Sequence, residues 1–253
     1  MLKQERQIYI LEKVKKEGRA TTNELVQELG LAEDTIRKDF QEMSAKGLVK
    51  RIHGGVLKVE EELINFDERI THKPSVKLRL AQRAAELVKD KKMLYIDGGT
   101  TNLRFAESLP VDFNGTVVTN SPTISIALCK FPDVHVTLLG GNLNKTTKIV
   151  EGSSAIQQMS TLNFECAVIG VSSLSPENGI TFPSYDESVL KQEAIRHCKQ
   201  TIAIANKEKL GTVAGFYAGD LSMIDVLVTN EKDESILQKY FEKGIEIIIE
   251  DIE

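Results

Sequence analysis

The sequence predicts an α/β protein with a winged helix-turn-helix head at the N-terminus and a mostly parallel α/β domain behind it. In the head, a short helical pattern carrying Thr35, Arg37 and Lys38 is followed by a basic β-hairpin pattern that starts near Leu48. From Val76 onward, short and continuously apolar runs alternate with amphipathic helical patterns. Strands of that kind are buried on both faces, which is typical of a parallel sheet covered by helices.

Three helical patterns and one hairpin account for the predicted head, residues 1–59. Apolar residues recur at helical spacing in each helix, and a glycine follows each of the three. Alternating apolar residues, a Gly54-Gly55 turn and an apolar return then predict the hairpin. The predicted elements are a helix over 4–16, a second helix capped by Thr21 or Thr22 and ended by Gly30, a third helix over 33–45, and hairpin strands over 48–52 and 56–59.

The rest of the chain divides into a predicted linker, residues 60–75, and one α/β domain, residues 76–253. The acidic run Glu60-Glu61-Glu62 marks the change of composition, and we expect the linker to be partly helical. The predicted strands are 93–96, 116–119, 134–139, 166–171, 201–205, 226–228 and 245–249. The predicted helices are 76–88, 103–109, 123–130, 153–161, 187–197 and 234–243.

Composition excludes several classes of protein. The 253 residues contain no apolar run long enough to span a bilayer, and the first residues lack the features of a secretion signal. Cys129, Cys166 and Cys198 are far apart and form no CxxC pair, so we expect reduced thiols rather than a disulfide or a zinc site. The sequence therefore predicts a cytoplasmic protein with no membrane partner, no metal and no cofactor.

The charge is unevenly distributed along the chain. The formal net charge is −5, but residues 1–58 hold 12 Lys and Arg against 9 Asp and Glu. A basic head on an acidic body suits a protein that needs a local electrostatic footprint on DNA.

The third helix of the head is the candidate DNA-recognition helix, and the hairpin is the candidate wing. Arg37 can bind a guanine edge with two hydrogen bonds, which contributes about 1–3 kcal/mol of base discrimination. The start of the second helix can offer donors to phosphate. The alternative is a solvated basic face on a protein-interaction module, and His53 could either read DNA or pack the wing. The candidate DNA-contacting residues are Thr22, Asn23, Thr35, Arg37, Lys38, Lys50, Arg51, His53, Gly54 and Gly55.

Small and polar residues follow several of the predicted strands of the second domain. After the strand 93–96, Asp97-Gly98-Gly99-Thr100-Thr101 opens a helix, so backbone N–H groups and two hydroxyls can bind an anion there. The carboxyl ends of parallel strands meet at one edge, where open α/β sheets bind ligands. The other strand ends are Thr119-Asn120-Ser121, Gly140-Gly141-Asn142, Gly170 and Asn206-Lys207-Glu208-Lys209.

The head resembles the DNA-binding domain of the DeoR family of bacterial transcription regulators. This resemblance implies a winged helix-turn-helix that binds double-stranded operator DNA. The chain departs from the family pattern at Val56, where Ala is usual, and at Ala32, where a capping Ser is usual. The residues that carry the resemblance are Glu5-Arg6, Ile8, Leu11, Gly18, Glu24-Leu25, Thr35-Ile36-Arg37-Lys38-Asp39, Gly47-Leu48 and Arg51-Ile52-His53-Gly54-Gly55.

Residues 76–232 resemble the effector-sensing domain of the same family, which is related in fold to ribose-5-phosphate isomerase. The matching motifs are Phe66-Asp67-Glu68-Arg69, Lys77, Ile96-Asp97-Gly98-Gly99-Thr100-Thr101, Val118-Thr119-Asn120-Ser121, Leu139-Gly140-Gly141, Ile169-Gly170, Gly179-Ile180-Thr181, Glu187 with Lys191, and Lys209. The chain departs from the family at Asn206-Lys207-Glu208-Lys209 and at Glu165-Cys166, so the resemblance does not identify the effector.

By that resemblance, the second domain binds a phosphorylated sugar. Thr100 and Thr101 would hold the phosphate, Lys77 and Lys209 would neutralise its charge, and Asp97, Asn120 and Glu187 would bond hydroxyls. The complete set of candidate effector-binding residues is Lys77, Asp97, Gly98, Gly99, Thr100, Thr101, Thr119, Asn120, Ser121, Gly141, Gly170, Glu187 and Lys209.

The sequence leaves simpler interpretations of Lys77, Glu187 and Lys191 open. Lys77 could be a solvated charge on a helix. Glu187 and Lys191 are four residues apart and could form only a helix salt bridge, which contributes a few tenths of a kcal/mol.

The sequence favours a transcription regulator, with a repressor of carbohydrate metabolism preferred over an activator. We expect a homodimer or homotetramer, because helix-turn-helix proteins read paired half-sites. The alternative is a sugar-phosphate isomerase or deaminase with a fused DNA-binding module, for which Asp97 and Glu187 are candidate acid/base groups. No two acidic residues have a spacing that indicates an acid/base pair, so we assign no catalytic residue and predict no enzyme activity. A third possibility is a DNA-binding scaffold whose pocket is vestigial.

Overall fold

The computed structural model describes residues 3–45, 48–52, 54–58 and 65–252. It divides the chain into two compact units, Met1–Leu63 and Ile64–Glu253. The described elements of the first unit are α1 (Lys3–Glu17), β1 (Arg19–Thr21), α2 (Thr22–Leu29), α3 (Glu33–Ala45), β2 (Val49–Ile52) and β3 (Gly55–Lys58).

The ends of α2 are fixed by local sequence. Of the two predicted caps, Thr21 occupies the N-cap position: its hydroxyl accepts from the Glu24 N–H at 3.2 Å, and the Glu24 carboxylate accepts from the Thr21 N–H at 2.9 Å. Gly30 ends the helix in the left-handed region at φ 65°.

The wing is a three-stranded antiparallel sheet in the order β1, β3, β2. The sequence did not predict β1, because three residues are too few to show a strand pattern. Gly55 lets β1 and β3 approach, since a Cβ on Gly55 would lie 2.5 Å from the carbonyl oxygen of Ala20.

A buried ion pair joins α1 to α3. Arg6 Nη2 donates to Asp39 Oδ1 at 3.1 Å, and Arg6 Nε donates to Oδ2. The two side chains are 11% and 2% exposed. The pair lies beside the apolar core of the unit, so it fixes the recognition helix α3 against α1.

The second unit contains nineteen α-helices and strands within residues 65–252. They are α4 (Phe66–Thr71), α5 (Pro74–Ala85), β4 (Met93–Ile96), α6 (Thr100–Glu107), β5 (Gly115–Thr119), α7 (Pro122–Leu128), β6 (Val134–Leu138), β7 (Asn142–Asn144), β8 (Ile149–Glu151), α8 (Ser153–Met159), β9 (Cys166–Gly170), β10 (Ser173–Ser175), β11 (Gly179–Phe182), α9 (Tyr185–Arg196), β12 (Thr201–Ile204), β13 (Phe216–Gly219), β14 (Val226–Thr229), α10 (Glu234–Phe241) and β15 (Glu246–Ile249).

Seven of these strands form one parallel sheet in the order β15, β14, β12, β9, β4, β5, β6. Alternate residues of β4 face opposite sides of the sheet: Tyr95 lies in one apolar cluster, and Leu94 and Ile96 lie in the other. The predicted fold class is confirmed, and the seven predicted strands coincide with the seven strands of this sheet. All the carboxyl ends lie at one edge, next to the Asp97 turn and Gly170.

Two smaller sheets flank the parallel one. The strands β10, β11 and β13 form an antiparallel sheet, and β7 pairs with β8 as a hairpin. The sequence did not predict these strands, which are three or four residues long.

Part of the predicted linker is folded within the second unit. Residues 65–75 contain α4 and the start of α5, and Phe66 is 3% exposed in an apolar cluster of the parallel-sheet domain. The remainder of that predicted linker, residues 60–64, lies outside the described residues. Among the residues that the structure describes, no helix is long and apolar enough to cross a membrane.

Candidate functional site

The exposed face of the head carries five of the predicted DNA-contacting residues. Arg37 on α3 is 59% exposed and pairs with Glu33 one turn earlier at 2.5 Å. Lys38, Asn23 and Arg51 are also exposed, and Thr35 is half-buried. These side chains come from α2, α3 and the wing, and their contact with DNA stays a prediction.

Two predicted DNA contacts lie inside the head instead. Thr22 is 5% exposed, and its N–H donates to the carbonyl oxygen of Gly54 at 2.9 Å. Gly55 is buried against β1. Both positions close the wing onto α2, because strand pairing needs their backbone groups. Gly54 is exposed at the turn, whereas His53 and the side chain of Lys50 lie outside what the structure describes.

The turn after β4 forms the centre of the second candidate site. The Gly98 N–H donates to Asn120 Oδ1 at 2.8 Å, and Gly99 adopts a φ of 147° that favours glycine. Helix α6 starts at Thr100 without a side-chain cap. The N–H groups of its first turn therefore have no intrahelical partner, which suits them to bind an anion.

A buried ionic cluster holds the base of this turn. Lys191 Nζ contacts the Asp97 carboxylate, and it lies 3.2 Å from Glu187 Oε1 and 3.2 Å from the Gly170 carbonyl oxygen. The Gly170 N–H donates to Asp97 Oδ2 at 3.1 Å. Burial alone would lower the pKa of Lys191, but the carboxylates of Asp97 and Glu187 outweigh it and raise that pKa. Glu187 and Lys191 thus form more than a surface helix salt bridge.

Four cationic side chains form a basic cluster beside the same turn: Arg69, Lys77, Arg104 and Lys209. Lys77 is 8% exposed rather than solvated, and its Nζ donates to the carbonyl oxygen of Arg69. Burial, followed by the charges of the other three cations, lowers the pKa of Lys77 to about 8, and the carboxylate of Glu208 acts in the opposite direction. The Arg69 Nε is buried without a hydrogen-bond partner among the described residues.

The sequence analysis missed Arg69 and Arg104 as site residues. Arg69 stood in the predicted linker, although it belongs to a motif that carries the family resemblance. Arg104 lies one turn after Thr100 on α6, and that spacing was the signal available in the sequence.

The hairpin β7–β8 covers the turn. Ile149 Cγ2 would lie 2.2 Å from a Cβ placed on Gly98, and the Val150 N–H donates to the Asn120 carbonyl oxygen at 2.7 Å. Gly141 is a point of close approach as well, since its Cβ would lie 2.7 Å from the Glu151 carbonyl oxygen. The hairpin therefore places its own polar groups next to the turn.

Thr119 and Ser121 are buried but are engaged locally. The Thr119 hydroxyl accepts from the Ser121 N–H at 3.1 Å, and the Ser121 hydroxyl caps α7 by accepting from the Ile124 N–H at 3.4 Å. These two predicted effector contacts therefore shape the strand-to-helix turn that presents Asn120.

A second surface feature lies at the opposite edge of the parallel sheet. An open crevice of about 450 Å³ is lined by Lys91, Glu165, Lys199, Gln200 and Asp225, none of which the sequence analysis selected. Its carboxylates accept from backbone N–H groups, Glu165 from Lys92 and Asp225 from Thr201. Within the described part of the chain, no three His, Cys, Asp or Glu residues are grouped to hold a metal ion.

Comparisons with known proteins agree with this division into a head and a sensor. A model of the DeoR-like helix-turn-helix domain matches residues 6–62, and a model of the DeoR C terminal sensor domain matches residues 72–231. These two matches define a DNA-binding transcription regulator with a sensor domain. The chain belongs to the DeoR family.

Named relatives match over nearly the whole chain. The HTH-type transcriptional repressor GlcR of Bacillus subtilis (strain 168) is 29% identical, covering 98% of this chain and 97% of that protein. The glycerol-3-phosphate regulon repressor of Escherichia coli (strain K12) is 27% identical, covering 87% of this chain and 88% of that protein. Among solved structures, ribose 5 phosphate isomerase A from Neisseria gonorrhoeae matches with a TM-score of 0.40 and 16% identity, over 55% of this chain and 54% of that one.

The close approach of Ile149 to Gly98 leaves no room for a side chain at position 98. Gly98→Ala should destabilise the protein by about 1–3 kcal/mol, because the new methyl group overlaps Ile149 Cγ2. Ile149→Ala in the same chain should recover part of that loss, and urea unfolding of the single and double variants measures it.

Gly140→Ala is the matched control, because its nearest neighbour is the Gln158 side chain at an ordinary 3.4 Å. Equal effects of Gly98→Ala and Gly140→Ala would show that β8 does not lie on the turn as described.

Proposed function

We propose that this protein represses genes of carbohydrate metabolism and that a phosphorylated sugar, bound at the Asp97 turn, controls it. The observation that carries the proposal is the basic cluster beside the uncapped start of α6. The names of the two relatives, a transcriptional repressor and a glycerol-3-phosphate regulon repressor, support the same conclusion.

The charge of Lys77 favours the binding of an anion at the basic cluster. A buried ammonium among three further cations is costly, and its lowered pKa is a direct sign of that cost. A phosphate group would add negative charge beside these cations and would accept from the first N–H groups of α6. The Thr100 hydroxyl is 6% exposed at the same helix start, and Thr101 is half-buried beside it.

The other polar groups of the turn suit the hydroxyls of a sugar. Asn102 is fully buried, and its Nδ2 donates to the Asp97 carbonyl oxygen at 2.8 Å while its Oδ1 has no partner among the described residues. Asp97 Oδ1 has none there either. Buried polar atoms in folded proteins are normally hydrogen-bonded, so these atoms favour a polar ligand.

In the head, we propose that α3 enters the major groove and that Arg37 and Lys38 contact bases or phosphates. Asn23 and Arg51 would position the head on the phosphate backbone. We further propose a cytoplasmic homodimer or homotetramer that reads two half-sites. The effector must bind one quaternary arrangement better than the other, because a ligand that binds both equally well does not change the equilibrium between them.

Enzyme activity has weaker support than regulation. The candidate acid/base group Asp97 is held by Lys191 and the Gly170 N–H. A carboxylate bound in this way is better placed to position a ligand than to move a proton from carbon.

Lys77→Met tests the sensor half. A phosphorylated sugar at 100 times its dissociation constant should raise the free energy of unfolding of the wild type by about 2.7 kcal/mol, which is seen as a rise in melting temperature. The variant should lose this stabilisation. Without ligand the variant should be at least as stable as the wild type, because a buried methionine carries no charge to desolvate.

The matched control for this test is Lys89→Met at an exposed lysine, which should respond to ligand like the wild type. If Lys77→Met were stabilised as strongly as the wild type across a panel of sugar phosphates, the basic cluster would not be the phosphate site.

Arg37→Ala tests the DNA-binding half. Operator fragments are first selected from random DNA by the wild-type protein, and binding to operator and unrelated DNA is then compared at fixed salt. The variant should lose about 1–3 kcal/mol of discrimination, because Arg37 would no longer contact a base.

The Arg37–Glu33 pair is exposed, so its loss should leave the fold intact. Arg83→Ala removes a comparable exposed pair with Glu86 in the sensor domain and should retain discrimination. Unchanged discrimination in Arg37→Ala would remove α3 from the recognition role.

A further inference from the structure

Three carboxylates lie near the Asp97 turn on the hairpin and α9: Glu151, Asp186 and Glu187. Glu151 is the last residue of β8, two positions after Ile149. Alternate residues of a strand share one face, so Glu151 lies on the face of β8 that Ile149 turns toward Gly98. Asp186 and Glu187 belong to the first turn of α9.

Glu151 has an incomplete set of partners. Its Oε1 accepts from Asn144 Nδ2 at 3.1 Å, but its Oε2 is buried with no partner among the described residues. Burial, and then the like charges of Asp186 and Glu187, raise the pKa of Glu151. The Asn144 hydrogen bond acts in the opposite direction, and no cation is among the groups that set this pKa.

A second buried group beside Glu151 also lacks a partner. Thr147 is 4% exposed, and its hydroxyl has no hydrogen-bond partner in the described chain. The Asn144 side chain joins the two residues, since its Oδ1 accepts from the Thr147 N–H at 3.2 Å while its Nδ2 donates to Glu151. Thr147 and Glu151, which both hydrogen-bond to the Asn144 side chain, therefore each carry a buried oxygen without a partner in the described chain.

The buried Asp39 and Asp97 and the half-buried Glu187 each have a countercharge among the described residues. Asp39 is bonded to Arg6, and both Asp97 and Glu187 contact Lys191. Glu151 differs from them because no cationic side chain contacts it among the described residues. A carboxylate with one buried oxygen that lacks a partner is costly, and a cationic ligand group would supply that partner.

We propose that the effector carries a protonated amine that pairs with Glu151, so that its chemical class is a phosphorylated amino sugar. This rests on the proposed function, in which the phosphate occupies the basic cluster. An ammonium has three donors and one positive charge, whereas a sugar hydroxyl offers one donor and no charge. It can therefore bind Glu151 Oε2 and the Thr147 hydroxyl together and offset the charges of Asp186 and Glu187.

The test compares matched pairs of ligands. Glucosamine, galactosamine and mannosamine 6-phosphates are each titrated against the hexose 6-phosphate of the same configuration, using the full-length wild type, Glu151→Gln and Glu246→Gln. Glu246 is an exposed carboxylate on β15, so its variant carries the same charge change away from the site.

One amino sugar phosphate should bind the wild type on the order of tenfold more tightly than its hydroxyl parent, as a charge-assisted hydrogen bond implies. Glu151→Gln should abolish that preference by weakening the amino form alone, and Glu246→Gln should retain it. The preference of the wild type is measured independently of whether Glu151→Gln folds.

Equal binding of each parent and its amino form would overturn the inference and leave the proposed function standing. The same holds if Glu151→Gln, shown to be folded by its melting temperature, keeps the full preference. Binding of none of the six phosphorylated sugars would defeat the proposed function and this inference with it.

Discussion

The buried contact between Lys191 and Asp97 is the interaction on which the sensor domain depends. It joins α9 to the end of β4, and through Gly170 it includes the end of β9. Removing Lys191 would leave Asp97 and Glu187 without their cation, at a cost of about 3–5 kcal/mol. The contact fixes the Asp97 turn, and that turn sets where α6 begins. The proposed anion-binding end and the carboxylate end of the candidate site both take their positions from it.

The site concentrates features that a stable core avoids. Lys77 lies among like charges, and Asn102, Thr147 and Glu151 each keep a buried polar atom without a partner in the described chain. Such departures from local consistency are expected at functional sites. The head differs, because its buried charges, Arg6 and Asp39, hydrogen-bond to each other and join α1 to α3.

The sequence predicted the seven strands of the parallel sheet because buried strands leave continuous apolar runs. It missed β1, β7, β8, β10, β11 and β13, whose three or four residues leave no such pattern, and it described residues 60–75 as a partly helical linker without placing α4. The Asp97–Thr101 turn was predicted from its glycines, but the roles of Arg69 and Glu151 were not. Their proposed roles depend on residues that are distant in sequence, Lys209 for the basic cluster and Asp186 for Glu151, and only the folded chain brings these together.

The pKa of Lys77 in the presence and absence of inorganic phosphate tests the central claim most directly. Lysine labelled with carbon-13 at Cε would be followed by NMR from pH 6 to 11, with Lys77→Arg to assign the signal. The account predicts a pKa of about 8 in the free protein that rises when phosphate is saturating, because the anion favours the charged lysine. The same pKa with and without phosphate would contradict the account, because it would place the anion away from the basic cluster.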